Sequence, residues 1–137
     1  MKFYNEFKRQ TRKPTAEERA KFNQPVFYQL RKLPNPVLVV PPVGQIQLRP
    51  WDLTLEALQQ QVGGYIEVAP HPELRRKDVA MLVNEEGLLK LLPVNENLQP
   101  FFYVGNAVFV GIKGEDFTGL TEEQFETAME WLAGLRT

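Results

Sequence analysis

The sequence predicts an α+β fold: a mostly antiparallel sheet with two or three helices, in a single domain that follows a basic N-terminal extension. Short β-branched and aromatic runs recur at strand length, and stretches with helix-capping signals lie among them. The connections have hairpin length, which favours antiparallel neighbours. The length of 137 residues fits one domain. We place the extension at residues 1–36 and the domain at residues 37–137.

The strand predictions rest on β-branched runs and on alternation of polar and apolar residues. Residues 37–40 form a β-branched run that two prolines end, and residues 45–49 alternate with period two. Further strands are predicted at residues 65–68, 79–83, 101–104 and 107–112. We also expect residues 88–94 to return as the second strand of a β-hairpin. Its turn would be Asn84-Glu85-Glu86-Gly87, with Gly87 at positive φ.

Capping signals predict the helices. A capping box at residues 15–18 predicts a short helix over residues 15–23. Thr54 is the expected N-cap of a second helix, and Gly63 is placed to end it in the left-handed conformation. A second capping box at residues 121–124 opens the C-terminal helix. One apolar stripe follows on that helix, formed by Phe125, Ala128, Met129, Leu132 and Leu135.

Charge is distributed unevenly along the chain. Residues 1–36 hold nine Lys or Arg and three Glu, a net charge of +6, whereas residues 37–137 carry a net charge of −7. Two interpretations stay open: the two parts attract each other within the molecule, or the basic part faces a partner. The candidate partner-binding residues are basic or aromatic and lie near the N-terminus: Phe3, Tyr4, Phe7, Lys8, Arg9, Arg12 and Lys13.

Composition disfavours the common catalytic arrangements. The chain has no Ser and no Cys, so a Ser or Cys triad is excluded. His71 is the one histidine and lies between two prolines, where we expect an exposed loop residue rather than a general base. We therefore predict a protein that is not an enzyme and has no catalytic residues. A hydrolase that uses Glu85, Glu86 or Asp116 stays open as a third possibility.

Metal, cofactor and membrane sites are not expected either. Carboxylates are the remaining metal ligands, and Glu85-Glu86 and Glu115-Asp116 are typical of solvated turns. Gly63-Gly64 leads into a strand, whereas a phosphate loop leads into a helix. No apolar run approaches the ~20 residues of a membrane span. With no cysteine and no apolar signal-peptide core, we expect a cytoplasmic protein.

Five short motifs occur in a fixed order along the domain. They are Gly63-Gly64-Tyr65-Ile66-Glu67, Asn84-Glu85-Glu86-Gly87, Leu92-Pro93-Val94-Asn95, Gly105-Asn106-Ala107 and Leu120-Thr121-Glu122-Glu123-Gln124. In this order and spacing they resemble DUF3846, a family of unknown function, over about residues 37–137. The resemblance implies an origin in bacteriophages, plasmids or other mobile elements and assigns no activity. We interpret the following motif residues as turn and cap devices: Gly63, Gly64, Asn84, Gly87, Gly105 and Asn106.

These observations together favour a small phage or mobile-element protein that binds a host macromolecule in the host cytoplasm and modulates it. By analogy with other small phage proteins, host RNA polymerase or its sigma factor is the first candidate partner. Direct nucleic-acid binding is disfavoured because the pI is about 5.9. The alternative is a ligand-binding module that sequesters a nucleotide signal of host defence.

Overall fold

The computed structural model describes residues 30–87 and 90–135. Six strands of these residues form one antiparallel sheet in the order β2-β1-β5-β4-β3, with β6 paired to β5. The strands are β1 (Val37–Val40), β2 (Gln47–Arg49), β3 (Ile66–Val68), β4 (Val79–Asn84), β5 (Ala107–Lys113) and β6 (Asp116–Thr118). The predicted α+β class with an antiparallel sheet is confirmed.

Within the same residues, three complete α-helices and one 3-10 helix accompany the sheet, and residues 30–32 are also helical. The complete helices are α1 (Leu55–Val62), α2 (Pro72–Arg75), the 3-10 helix (Glu96–Leu98) and α3 (Glu122–Gly134). Thr54 caps α1 through its side chain, and Thr121 with Gln124 forms the complete capping box of α3, as predicted. None of the helices in the described part of the chain has the length and apolar character that a membrane crossing requires.

Each face of the sheet is covered by a different helix. On one face Phe125, Met129 and Leu132 of α3 pack with Phe109 of β5 in the larger core cluster. On the other face Leu58 and Val62 of α1 pack with Val108 and its neighbours. Strand β5 lies at the centre and pairs with β1, β4 and β6. A strand buried on both faces reads as a continuous apolar run, which explains the sequence of β5.

Two strand predictions are wrong. The predicted hairpin cannot form because both edges of β4 are occupied, by β3 on one side and β5 on the other. Residues 90–94 and 101–104 contain no strand, and a single bridge joins Val94 to Val104. Strand β6 was not predicted from the sequence. Its three residues pair with the end of β5, where Phe117 lies opposite Ile112.

The described part of the extension contacts the domain. Leu30 is buried in the core cluster on the α3 side, and Arg31 pairs with Glu122 in the first turn of α3. The Pro36 carbonyl accepts a 2.7 Å hydrogen bond from the Leu120 N–H. The helix predicted at residues 15–23 and the candidate partner-binding residues at positions 3–13 lie outside the described residues.

Candidate functional site: an acidic groove beside strand β3

The motif residues converge on the C-terminal end of α1. Gly63 takes the left-handed conformation with φ of 84°, and the N–H groups of Gly63 and Gly64 both donate to the Gln59 carbonyl. The next carbonyls receive side-chain donors from distant segments. Asn106 donates to Gln61 O at 2.8 Å, Asn84 to Val62 O at 3.0 Å and Lys90 to Gly63 O at 3.2 Å. The terminal carbonyls of a helix need such partners, so these residues hold α1 on the sheet.

Asn84 also orders the turn that follows β4. Its Oδ1 accepts the Glu86 N–H at 2.7 Å. Gly87 does not take the positive φ that we expected. A Cβ at Gly87 would lie 2.5 Å from Val104 Cγ2, so any other residue here would force the Val104 side chain to shift. The motif at residues 84–87 therefore joins α1, β4 and the segment before β5.

His71 lies in a cluster of aromatic side chains, which corrects our expectation of an exposed loop residue. It precedes α2, the residue is 5% exposed, and its Nε2 lies 2.7 Å from the Tyr103 hydroxyl. Its ring makes edge contacts with Phe101 and Trp131 at centroid distances of 4.7 and 4.9 Å. The sequence did not reveal this burial because these three aromatic residues lie 30 to 60 positions away.

Glu73 completes the polar side of this cluster. Its Oε1 accepts the Trp131 indole N–H at 2.8 Å and lies 3.7 Å from His71 Nδ1. Nδ1 and this carboxylate are too far apart for a hydrogen bond, and with its proton on Nδ1 the neutral imidazole would accept the Tyr103 hydroxyl at Nε2. Burial lowers the pKa of His71 against the opposing effect of Glu73, and the indole hydrogen bond lowers the pKa of Glu73. Burial, with smaller effects of Glu67 and Glu73, raises the pKa of Tyr103, which keeps its hydroxyl protonated.

Acidification is expected to lower the free energy of unfolding because His71 stays neutral when folded while the unfolded chain takes up a proton. The pKa of His71 in the folded protein lies below 6.5. The contribution of the neutral imidazole to the free energy of unfolding is therefore complete above pH 6.5 and is lost as the pH falls toward the folded pKa. For this one titrating group, the free energy of unfolding changes by at most ~1.4 kcal/mol per pH unit. Urea denaturation between about pH 7 and about pH 5 measures it. His71→Gln should flatten the slope, and an unchanged slope in that variant would contradict the assignment.

Beside this cluster, the α3 face of the sheet carries an open groove of about 370 Å³ near the β3 edge. We call it the acidic groove. Its apolar lining comes from Val83, Phe102, Tyr103 and Val104, and its carboxylates come from Glu67, Glu85 and Glu86. Glu67 and Val83 are directly opposite in the β3–β4 register, which places both on the same face. Tyr103 links the groove to the cluster because His71 holds its hydroxyl.

The groove combines exposed aromatic surface with negative charge. Phe102 is 64% exposed, and Tyr65, one residue before β3, is exposed to the same extent. Glu67, Glu85 and Glu86 are exposed, and none of them forms a salt bridge to a basic side chain of residues 30–87 or 90–135. Such a surface favours a cationic ligand, since Lys and Arg pair with carboxylates and lie against aromatic faces.

The predicted site residues divide into three groups. The motif residues Gly63, Gly64, Asn84, Gly87, Gly105 and Asn106 lie at turns and close contacts between elements. Glu85 and Glu86 line the groove, whereas Asp116 is exposed in β6 and lies opposite Lys113. Within the described residues no three His, Cys, Asp or Glu side chains are grouped as metal ligands would be.

Sequence reasoning missed Glu67, Phe102 and Tyr103 as groove residues. Three consecutive aromatic residues, Phe101 to Tyr103, were assigned to a strand, where alternation would bury some of them. Their position outside a strand leaves Phe102 at the surface. The signal that could have found the site is this aromatic run combined with an acidic turn, Glu85-Glu86.

The geometry defines a small α+β domain whose recurring glycine and asparagine motifs secure a helix end and whose groove faces solvent. The chain belongs to the DUF3846 family, described as a domain of unknown function, whose model matches residues 34–133. No curated protein and no solved structure matches the chain.

Proposed function

We propose that this protein is a non-enzymatic binding module that docks on a host protein through the acidic groove and modulates that protein. The observation that supports this proposal is the composition of the acidic groove. Its apolar wall includes the exposed Phe102, and its carboxylates have no basic partner among the described residues. Aromatic residues are enriched in protein interfaces and supply much of their binding energy. The favoured partner surface is a segment that carries Lys or Arg.

Host RNA polymerase or its sigma factor is the first partner to test, in the host of a phage or other mobile element. The basic and aromatic residues at positions 3–13 would offer a second contact, to an acidic surface of the same partner. The chain would then act in the cytoplasm. A nucleotide signal is less compatible with this groove, because three carboxylates would repel its phosphates. A nucleotide-sequestering activity would therefore need another surface.

The test is affinity purification of the full chain, with a C-terminal tag, from its native host. We expect polymerase subunits, identified by mass spectrometry, well above the level captured by the tag alone and by an unrelated acidic protein of similar size. Binding through charged groups weakens with salt, so capture should decrease as ionic strength rises. Polymerase subunits at background level in both low and moderate salt would overturn the choice of partner.

A further inference from the structure

We propose that the acidic groove is occupied by the basic N-terminal stretch of the same chain, residues 2–13, so that a partner must displace it. This inference rests on the groove named in the proposed function and adds its occupant. The groove has an aromatic and aliphatic lining beside Glu67, Glu85 and Glu86. A matching segment must supply cations and apolar side chains together.

Residues 2–13 have this composition. The stretch carries five basic residues and one glutamate, a net charge of +4 against the three carboxylates of the groove. Its basic and aromatic residues are Lys2, Phe3, Tyr4, Phe7, Lys8, Arg9, Arg12 and Lys13. Lys and Arg would pair with the carboxylates, and the aromatic rings would lie against Phe102. Residues 19–32 also carry a net charge of +4 and three aromatic residues, but that stretch is held elsewhere, since Leu30 is buried in the core cluster and Arg31 pairs with Glu122.

The chain is long enough for this contact. Leu30 is buried in the core cluster that contains Val83, so the extension enters on the same face of the sheet as the groove. Arg31 contacts Glu122 at the start of α3, and Trp131 near its end stacks on Phe101 beside the groove, so the distance to cover is on the order of the length of α3, ~20 Å for its 13 residues. Residues 14–29 form the connection. With residues 15–23 counted as helix and the others as extended chain, they reach roughly 37 Å.

Attachment to the same chain makes the stretch an effective competitor. A tethered segment acts at an effective concentration in the millimolar range, which a free partner must overcome. The two charged parts of the sequence, +6 and −7, then neutralise each other until a partner that binds more strongly separates them. Release of residues 2–13 would at the same time make their basic and aromatic side chains available to the partner.

The test uses a fluorescent peptide of residues 1–13 and three full-length proteins. They are the wild type, an arm variant (K8E/R9E/R12E/K13E), and that arm variant with a reversed groove (E67K/E85K/E86K). We expect the arm variant to bind the peptide at least ~10-fold more tightly than the wild type, since its own competitor is gone. Reversal of the groove should abolish binding. A fourth protein, the arm variant with a neutral groove (E67Q/E85Q/E86Q), should also lose binding, and circular dichroism of each protein separates lost binding from lost folding.

Three results would overturn the inference. Equal binding by the wild type and the arm variant would mean that the groove is open, and binding by neither would mean that the groove does not accept this stretch. A wild-type dimer that becomes a monomer in the arm variant, measured by light scattering, would place the stretch on a second copy of the chain. None of these results concerns polymerase, so capture of polymerase subunits tests the proposed function separately.

Discussion

Replacement of Phe109 by alanine is expected to lower the free energy of unfolding by about 3–5 kcal/mol, the usual cost of truncating a large buried aromatic side chain. Phe109 is fully buried at the centre of β5. It lies opposite Leu38 of β1 and Met81 of β4, and its ring makes an edge contact with Trp131 of α3 at 5.9 Å. The truncation therefore leaves a cavity where two neighbouring strands and a helix meet, and these elements cannot all move to fill it.

Urea denaturation followed by circular dichroism measures this loss, with an unchanged m-value as the sign that the transition stays two-state. The matched control is Phe102→Ala, the same substitution at a side chain that is 64% exposed. We expect this control to stay within ~0.5 kcal/mol of the wild type. Similar losses for both variants would contradict the assignment of Phe109 to the core and of Phe102 to the surface.

The second large effect is expected for Asn84→Ala. This side chain is 6% exposed and serves two backbone groups, as donor to Val62 O and acceptor from the Glu86 N–H. Alanine would leave both groups without their partner, and we expect a loss of roughly 2–4 kcal/mol because an unsatisfied buried polar group costs ~1–3 kcal/mol. Hydrogen exchange should also quicken at the C-terminal turn of α1. Glu85→Ala is the control, since Glu85 is exposed, and an equal loss in this neighbour would count against the role of Asn84.

Local signals explain which parts of the fold could be predicted. The side chains of Thr54 and Thr121 cap helices through bonds that span three residues, and Gly63 ends α1 by its own conformation. Such features depend on residues within one short segment, so they can be recognised in the sequence. Strand pairing is different, because the partner of a strand depends on the arrangement of all the other strands in the sheet. Residues 88–94 were assigned to a hairpin, yet β3 and β5 occupy both edges of β4.

The candidate site could be predicted in part. The motif residues lie near a helix end and a turn, and the bonds of Asn84 and Asn106 to α1 span 22 and 45 positions. The groove is assembled from three separate segments that contribute Glu67, Glu85 and Phe102. Each residue alone is ordinary for a surface, and their combination follows only from the register of β3 with β4 and from the path of residues 99–104.

The measurement that tests the central claim most directly is polymerase capture by the wild type, Phe102→Ala and Val43→Ala at equal bait levels. Val43 is 62% exposed and lies outside the groove, so its truncation controls for the loss of any exposed apolar side chain. We predict that Val43→Ala captures as much polymerase as the wild type and that Phe102→Ala captures ~10-fold less or none, as expected for an aromatic residue at the centre of an interface. Equal capture by all three proteins would contradict the acidic groove as the docking surface.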